Sequence, residues 1–156
     1  FAYTLTSPSA IRYPRGFFKE LSFESTQFQL GKAELLKEGS SNKLFIGYGA
    51  GVSRAIETEL LHQEDISILD LRFVKPIDED CLIELSKRYT QWYIFSDSQK
   101  QAGVASTILE VLNENKIHNI EVISFEYEDS FIQHGDTKQV EESLGLLPHQ
   151  LILKIK

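Results

Sequence analysis

The sequence predicts an α/β domain in three layers, with a mostly parallel five-stranded sheet between helices. Three observations carry this. Short apolar runs rich in branched and aromatic residues, at Lys43–Tyr48, Ile66–Leu71, Gln91–Ser96 and Asn119–Phe125, read as strands buried on both faces. Apolar residues at helical spacing follow these runs. The two kinds alternate at regular intervals, as in consecutive βαβ units.

The elements follow in order. Residues 1–28 do not form an independent unit: they hold five of the ten phenylalanines, Phe1, Phe17, Phe18, Phe23 and Phe28, without periodicity. Ser7-Pro8 and Pro14-Arg15-Gly16 interrupt any long helix, and Ala10–Tyr13 is at most a short strand ended by Pro14. Such a stretch suits a linker packed along another body. Gln29–Lys43 reads as a pair of short strands, or one strand leading into the sheet, around the turn Glu38–Asn42. Lys43–Tyr48 is the first core strand, Gly49–Gly51 a tight turn, and Val52–Leu61 an amphipathic helix.

The central segment is Ile66–Asp78. Its apolar half is a strand; Pro76 then holds Lys75 extended, and Asp78 is placed to cap the next helix, whose apolar face is Cys81, Leu82, Leu85 and Tyr89. Arg72 and Lys75 lie in the loop at the carboxyl end of that strand. They either fix the loop by ion pairs or face a partner or ligand. A strand over Gln91–Ser96, a polar loop over Asp97–Gly103, a helix to about Glu114 and a strand over Asn119–Phe125 come next. Asp136 and Gln139 have capping-box spacing for a helix that stops at Gly145, and Pro148 opens a last short helix, His149–Ile155.

The 156 residues suffice for one domain with a core, and 42% hydrophobic with 25% charged residues is ordinary for a globular chain. No apolar run approaches a membrane span and no signal peptide opens the chain, so no membrane partner is expected. The net charge of −7 argues against a nucleic-acid surface. Its distribution is uneven: residues 1–19 carry +3 from Arg12, Arg15 and Lys19, with no acid, and the remainder carries −10. That segment is either a solvated tail or a site for one anion such as a phosphate. A chain that starts at Phe1 and contains no methionine reads as part of a longer polypeptide.

Residue chemistry alone assembles no catalytic centre. Cys81, the single cysteine, falls on an apolar helix face and reads as a buried small hydrophobe. Gly47, Gly49 and Gly51 follow a strand and precede a helix. They lack the third glycine of a dinucleotide fingerprint, and Asp70 at about the right distance is too little to restore it. Close helix–strand packing explains them. His134 lies in an irregular loop and reads as a loop or solvent residue before an acid–base one. His62, His118 and His149 read as surface residues. No metal-ligand spacing is present and no nucleophile elbow.

Two stretches, in order, do resemble a known family. Ser9-Ala-Ile-Arg-Tyr-Pro-Arg-Gly16 resembles the P-[SC]-A-x-R-Y-P-R-G motif of 1-deoxy-D-xylulose-5-phosphate synthases, and Asp70-Leu-Arg-Phe-Val-Lys-Pro-Ile-Asp78 their D-x-R-F-V-K-P-[LI]-D. Asp129–Gly135 is similar to their D-x-F-[IV]-x-[HQ]-G. One loop departs: where the family has E-E/H-x-x-x-x-G-G-x-G, Ser96–Ala105 keeps only Gly103 of the glycines, with Asp97 as the surviving acid. The resemblance implies a transketolase C-terminal-domain-like fold over residues 29–156. Residues 1–28 would be the tail of a preceding pyrimidine-binding domain and its linker. It implies a three-domain, homodimeric transferase of the bacterial cytoplasm, or of a plastid, dependent on thiamine diphosphate and Mg²⁺. That enzyme decarboxylates pyruvate and joins the two-carbon unit to D-glyceraldehyde 3-phosphate, for isoprenoid, thiamine and pyridoxal synthesis. Cofactor, metal and catalytic residues would belong to the other domains, so this chain alone would be inactive. One site residue carries over by the resemblance, Arg15, as a ligand of the substrate phosphate, with Arg12 a structural neighbour. Two other readings stand beside this one: the corresponding domain of a 2-oxoacid dehydrogenase E1 β subunit, and a stand-alone non-catalytic interaction module.

Overall fold

Five strands hydrogen-bond in the order β1-β3-β2-β4-β5 in the computed structural model, which describes residues 1–11 and 26–156. They are β1 (Glu34–Lys37), β2 (Lys43–Gly47), β3 (Ser67–Asp70), β4 (Gln91–Gln99) and β5 (Glu121–Tyr127). The pairs β2–β3, β2–β4 and β4–β5 are parallel; only edge strand β1 runs antiparallel, against β3. The helices are α1 (Gly51–Glu59), α2 (Glu79–Ser86), α3 (Val104–Glu114), α4 (Thr137–Ser143) and α5 (Pro148–Leu151). The three-layer, mostly parallel expectation therefore holds, and Gln29–Lys43 contributes one strand rather than two.

Strand alternation sorts the core into two halves. Leu44, Ile46, Leu69, Leu71, Trp92 and Ile94 face α2 and α3. Phe45, Ile68, Tyr93, Phe95 and Phe125 face α1 and α5, with aromatic rings 5.0–6.1 Å apart. Alternation explains why the runs carry no polar–apolar pattern: both faces are covered. The glycines after β2 do what close packing requires. A Cβ on Gly47 would stand 2.5 Å from the Val52 Cα, one on Gly51 would overlap the Phe95 carbonyl, and Gly49 has φ +58°.

Two boundaries differ from expectation. β4 continues past Ser96 to Gln99, pairing Gln99 with Tyr127 after an irregularity, so the polar stretch expected as loop starts as strand. The last helix is shorter: α5 ends at Leu151 and a single 3₁₀ turn, Ile152–Lys154, follows. Lys75–Pro76 is a cis peptide bond.

Candidate functional site

Parallel strands place the ends of β2, β3, β4 and β5 on one edge, and an open α/β sheet binds ligands there, where the winding reverses. In this order the reversal falls between β2 and β4. Arg54, in the first turn and a half of α1, fills it. Its side chain is 6% exposed, and its guanidinium donates to Asp97 at 2.9 Å and to Glu141 of α4 at 2.7 Å. Burial alone lowers the guanidinium pKa, but the two carboxylates outweigh it and hold it above the ordinary value. Beside it the Tyr127 phenol is pushed up, first by burial and then by Asp97.

The amino end of α3 is filled as well. Gly103 offers no side-chain cap, and Glu126 of β5 takes that role: its Oε1 accepts from Val104 N at 2.9 Å and Ala105 N at 3.4 Å. Ser98 Oγ donates to the same oxygen at 2.5 Å and pairs with Ser96 Oγ at 2.8 Å. The carboxylate thus sits where a bound anion would sit on a helix N-terminus. The extension of β4 follows: its last residues carry the side chains that hold Glu126.

At the end of β3 the Arg72 side chain is 3% exposed. It donates to the Glu34 carboxylate, to the Thr26 carbonyl at 3.2 Å and to Thr26 Oγ1 at 3.3 Å, and lies over the Phe28 ring at 4.4 Å. Asp70 Oδ1 accepts from the Arg72 backbone N–H at 3.0 Å, and the residue has φ +55°. Glu34 and Asp70 face each other across β1 and β3, and they titrate in opposite directions. Burial pushes the Glu34 carboxyl up, but hydrogen bonds from Thr26 and the charge of Arg72 bring it below the ordinary range. For Asp70 burial prevails over Arg72, and its carboxyl is raised. Arg72 therefore fixes the loop by ion pairs, the first of its two readings. Lys75 is exposed and makes no ion pair among the described residues.

The remaining expectations divide. Asp78 caps α2, accepting from Cys81 N at 3.3 Å, and also receives Ala33 N at 3.0 Å and Lys32 Nζ at 3.1 Å, tying β1 to α2. Cys81 is half-buried rather than buried, its thiol raised first by burial and then by Asp78. His134, His118 and His149 are exposed, and His62 is half-buried, its Nδ1 accepting from Glu64 N at 3.1 Å. Asp136 caps α4 through Lys138 N and Gln139 N. Arg15 and Arg12 lie outside the described residues, as does most of the first motif. The clusters at Arg54 and Glu126 escaped sequence reading. Their signal was a charged residue inside an otherwise apolar helix face or strand end, which burial obliges to find a partner.

A thiamine diphosphate–Mg²⁺ group does not fit these residues. The α3 N-terminus is filled by Glu126, Arg54 is neutralised twice over by the chain's own acids, and no acid–histidine cluster suited to a metal occurs among the described residues.

Fold and topology together define a three-layer α/β domain with a mostly parallel five-stranded sheet. Residues 31–151 match the family described as transketolase, C-terminal domain, and the chain belongs to that family. Over its whole length it is 70% identical to a 1-deoxy-D-xylulose-5-phosphate synthase of Aliarcobacter butzleri and 54% identical to one of Sulfurimonas denitrificans. It spans 26% of the length of each, about a quarter of the curated relatives it matches. Among solved structures, a split-gene transketolase in an inactive β4 tetramer superposes with TM-score 0.73 at 22% identity, over 82% of this chain and 42% of that one. A transketolase of Campylobacter jejuni superposes with TM-score 0.51 at 17% identity, over 86% and 19%. These two share the fold.

Proposed function

We propose that the chain is the C-terminal domain of a 1-deoxy-D-xylulose-5-phosphate synthase. In the intact enzyme it would serve the condensation of pyruvate with D-glyceraldehyde 3-phosphate, with loss of CO₂. The observation that carries this is the 70% identity to a synthase across all 156 residues, with no part of the chain left over. Thiamine diphosphate and Mg²⁺ would be held by the other domains, where the cofactor supplies the carbanion chemistry. Residues 1–28 would be the end of the preceding domain and its linker, and residues 29–156 the C-terminal domain. Phe1 and Phe28, whose rings flank Phe73 at 5.8 and 6.3 Å, support an entry along the carboxyl edge.

Within this chain the phosphate of the acceptor substrate is assigned to Arg15. A guanidinium offers a planar fork to phosphate oxygens, and the neighbouring Pro14 and Gly16 are residue types that would suit a fixed turn presenting it. The intact enzyme would be a homodimer in the bacterial cytoplasm. Alone, the chain would be inactive.

Sequencing upstream of the Phe1 codon tests the reading first. A continuous frame of several hundred residues with a diphosphate–metal motif and a later catalytic glutamate is expected; a start codon immediately before Phe1 would return the chain to an interaction module. In the intact enzyme Arg15→Ala should weaken transition-state binding of the phosphorylated acceptor by about 2–4 kcal/mol, read from kcat/KM. Unchanged acceptor kinetics would remove Arg15 from the site.

A further inference from the structure

The loop from β3 to α2 is anchored at every position from Arg72 to Asp78 but one. Arg72 is bonded to Glu34 and Thr26, and Phe73 lies between the rings of Phe1 and Phe28. Val74 and Ile77 pack on the core under α2 and α3. The Pro76 ring lies so close to Gly31 that a Cβ there would stand 2.9 Å from Pro76 Cγ. Asp78 receives Ala33 N, Lys32 Nζ and Cys81 N. Lys75 stands in the middle of this fixed loop, exposed, its ammonium without a hydrogen bond or ion pair among the described residues.

A free cation is uncommon in a chain with 23 acids against 16 lysines and arginines. At the carboxyl edge the positive groups are used internally. Arg72 is held by Glu34 and Asp70, Arg54 by Asp97 and Glu141, and Lys100 by Glu128, while Glu126 fills the N-terminus of α3. In the loops that follow the parallel strands, Lys75 is the one lysine or arginine left unpaired among the described residues. These loops are where an open α/β sheet meets its ligand. Pyruvate reacts at a cofactor assigned to other domains, and so does the aldehyde carbon of the acceptor. The acceptor's phosphate, at the opposite end of that molecule, is the part that extends toward a domain holding no cofactor. A loop already fixed loses little freedom when its ammonium is occupied, and lysine serves phosphate as a point charge.

We propose that the Lys75 ammonium binds the phosphate of the acceptor, D-glyceraldehyde 3-phosphate, and sets part of the preference for a phosphorylated acceptor. This rests on the chain being the C-terminal domain of a synthase. The rigid neighbours of Lys75 place its charge, and the absence of an internal carboxylate partner leaves that charge available.

Steady-state kinetics of the intact polypeptide test it, with pyruvate and either D-glyceraldehyde 3-phosphate or unphosphorylated D-glyceraldehyde as acceptor. Lys75→Gln should lower kcat/KM for the phosphorylated acceptor about tenfold, mainly through KM. It should leave kcat/KM for D-glyceraldehyde and the KM of pyruvate unchanged. Lys75→Arg keeps the charge and should recover most of the loss. Lys116→Gln removes another exposed, unpaired charge, just past the end of α3 on the opposite edge, and should change none of these values. Unchanged kinetics with the phosphorylated acceptor in Lys75→Gln would overturn the proposal. Equal losses with both acceptors would overturn it too, by making Lys75 a structural residue, and an equal loss in Lys116→Gln would assign the effect to net charge instead. An intact wild-type polypeptide that forms no product from pyruvate and D-glyceraldehyde 3-phosphate would defeat the synthase reading itself, a failure separate from each of these.

Discussion

Two arginines are buried at the carboxyl edge, each between two carboxylates, and they are built differently. Arg72 sits in a strand-end loop, its side chain 3% exposed, with partners Glu34 (11%) and Asp70 (21%) also largely out of water. Arg54 sits on a helix, and one of its partners, Asp97, is 44% exposed while the other, Glu141, is 21% exposed. The first cluster closes a loop onto the sheet edge; the second joins α1, the end of β4 and α4. A desolvated charge left without its partner is costly in proportion to its burial. The Arg72 cluster should therefore be the more stabilising of the two, and the Arg54 cluster the more important for where α4 lies.

Substitution ranks them. Arg72→Ala should cost about 3–5 kcal/mol in urea unfolding, because Glu34 and Asp70 are left facing each other without a cation. Arg72→Gly should cost about 1 kcal/mol less than Arg72→Ala, since φ +55° is free for glycine. Equal losses would remove backbone strain from the comparison. Arg54→Ala should cost less, about 2–3 kcal/mol, since Asp97 recovers water. In Arg54→Ala, amide exchange in Thr137–Ser143 should accelerate, while in Arg72→Ala it should not. A larger loss at Arg54 than at Arg72 would reverse the ranking and with it the argument from burial.

The same contrast explains what could be read in advance. Arg72 was legible in its place, the loop after a strand, but its role stood open between ion pairs and a partner or ligand, because its nearest carboxylate, Glu34, lies 38 residues away. Asp78 was legible as a cap because capping is local. The alternation of strands and helices was legible because periodicity is local too. Arg54 finds Asp97 and Glu141 at separations of 43 and 87 residues, and Glu126 caps a helix 22 residues before it; no spacing rule reaches that far. β4 ran on through Asp97–Gln99 for the same reason. Its polar residues there serve Arg54 and Glu126 rather than the core, so the strand lost its apolar signature before it lost its pairing. Arg15 is the reverse case, legible only through a motif.

Asp78 offers a smaller effect with a sign. Burial raises its carboxyl, but hydrogen bonds from Ala33 and Lys32, then from Cys81, leave it below the ordinary value. A depressed carboxyl contributes stability that is present above its unfolded pKa of about 4 and is lost as pH falls through the folded value. Asp78→Ala should cost about 2 kcal/mol at pH 7 from the lost cap and buried hydrogen bonds. It should also flatten the fall in the thermal midpoint between pH 5 and about pH 2. Asp70 works in the other direction: its raised carboxyl favours folding at low pH and loses that contribution as pH rises through the folded value. Asp70→Asn should therefore steepen acid destabilisation where Asp78→Ala relieves it. If the two variants shift the profile the same way, the opposite directions assigned to Asp70 and Asp78 are wrong.

The smallest expected effect lies in the loop that departs from the family pattern, next to the Arg54 cluster. Ala102 stands at the first Gly of the G-G pair and holds φ +56°, a left-handed conformation that an L side chain tolerates at a cost of roughly 1 kcal/mol. Gly103, the one retained, cannot be replaced so simply, because a Cβ there would overlap the Gln99 carbonyl and crowd Glu126 Oε1 at 2.8 Å. Ala102→Gly relieves the left-handed strain but adds freedom to the unfolded chain, and the two differ by only a few tenths. The net should be a gain of about 0.5 kcal/mol in urea unfolding, with the Arg54 pairs unchanged. Gly103→Ala should lose several times that amount, because it displaces the carboxylate that caps α3. A loss of stability in Ala102→Gly would mean that the alanine has made the loop stiffer than glycine allows, and that the departure from the pattern is an adaptation of this edge rather than a tolerated strain.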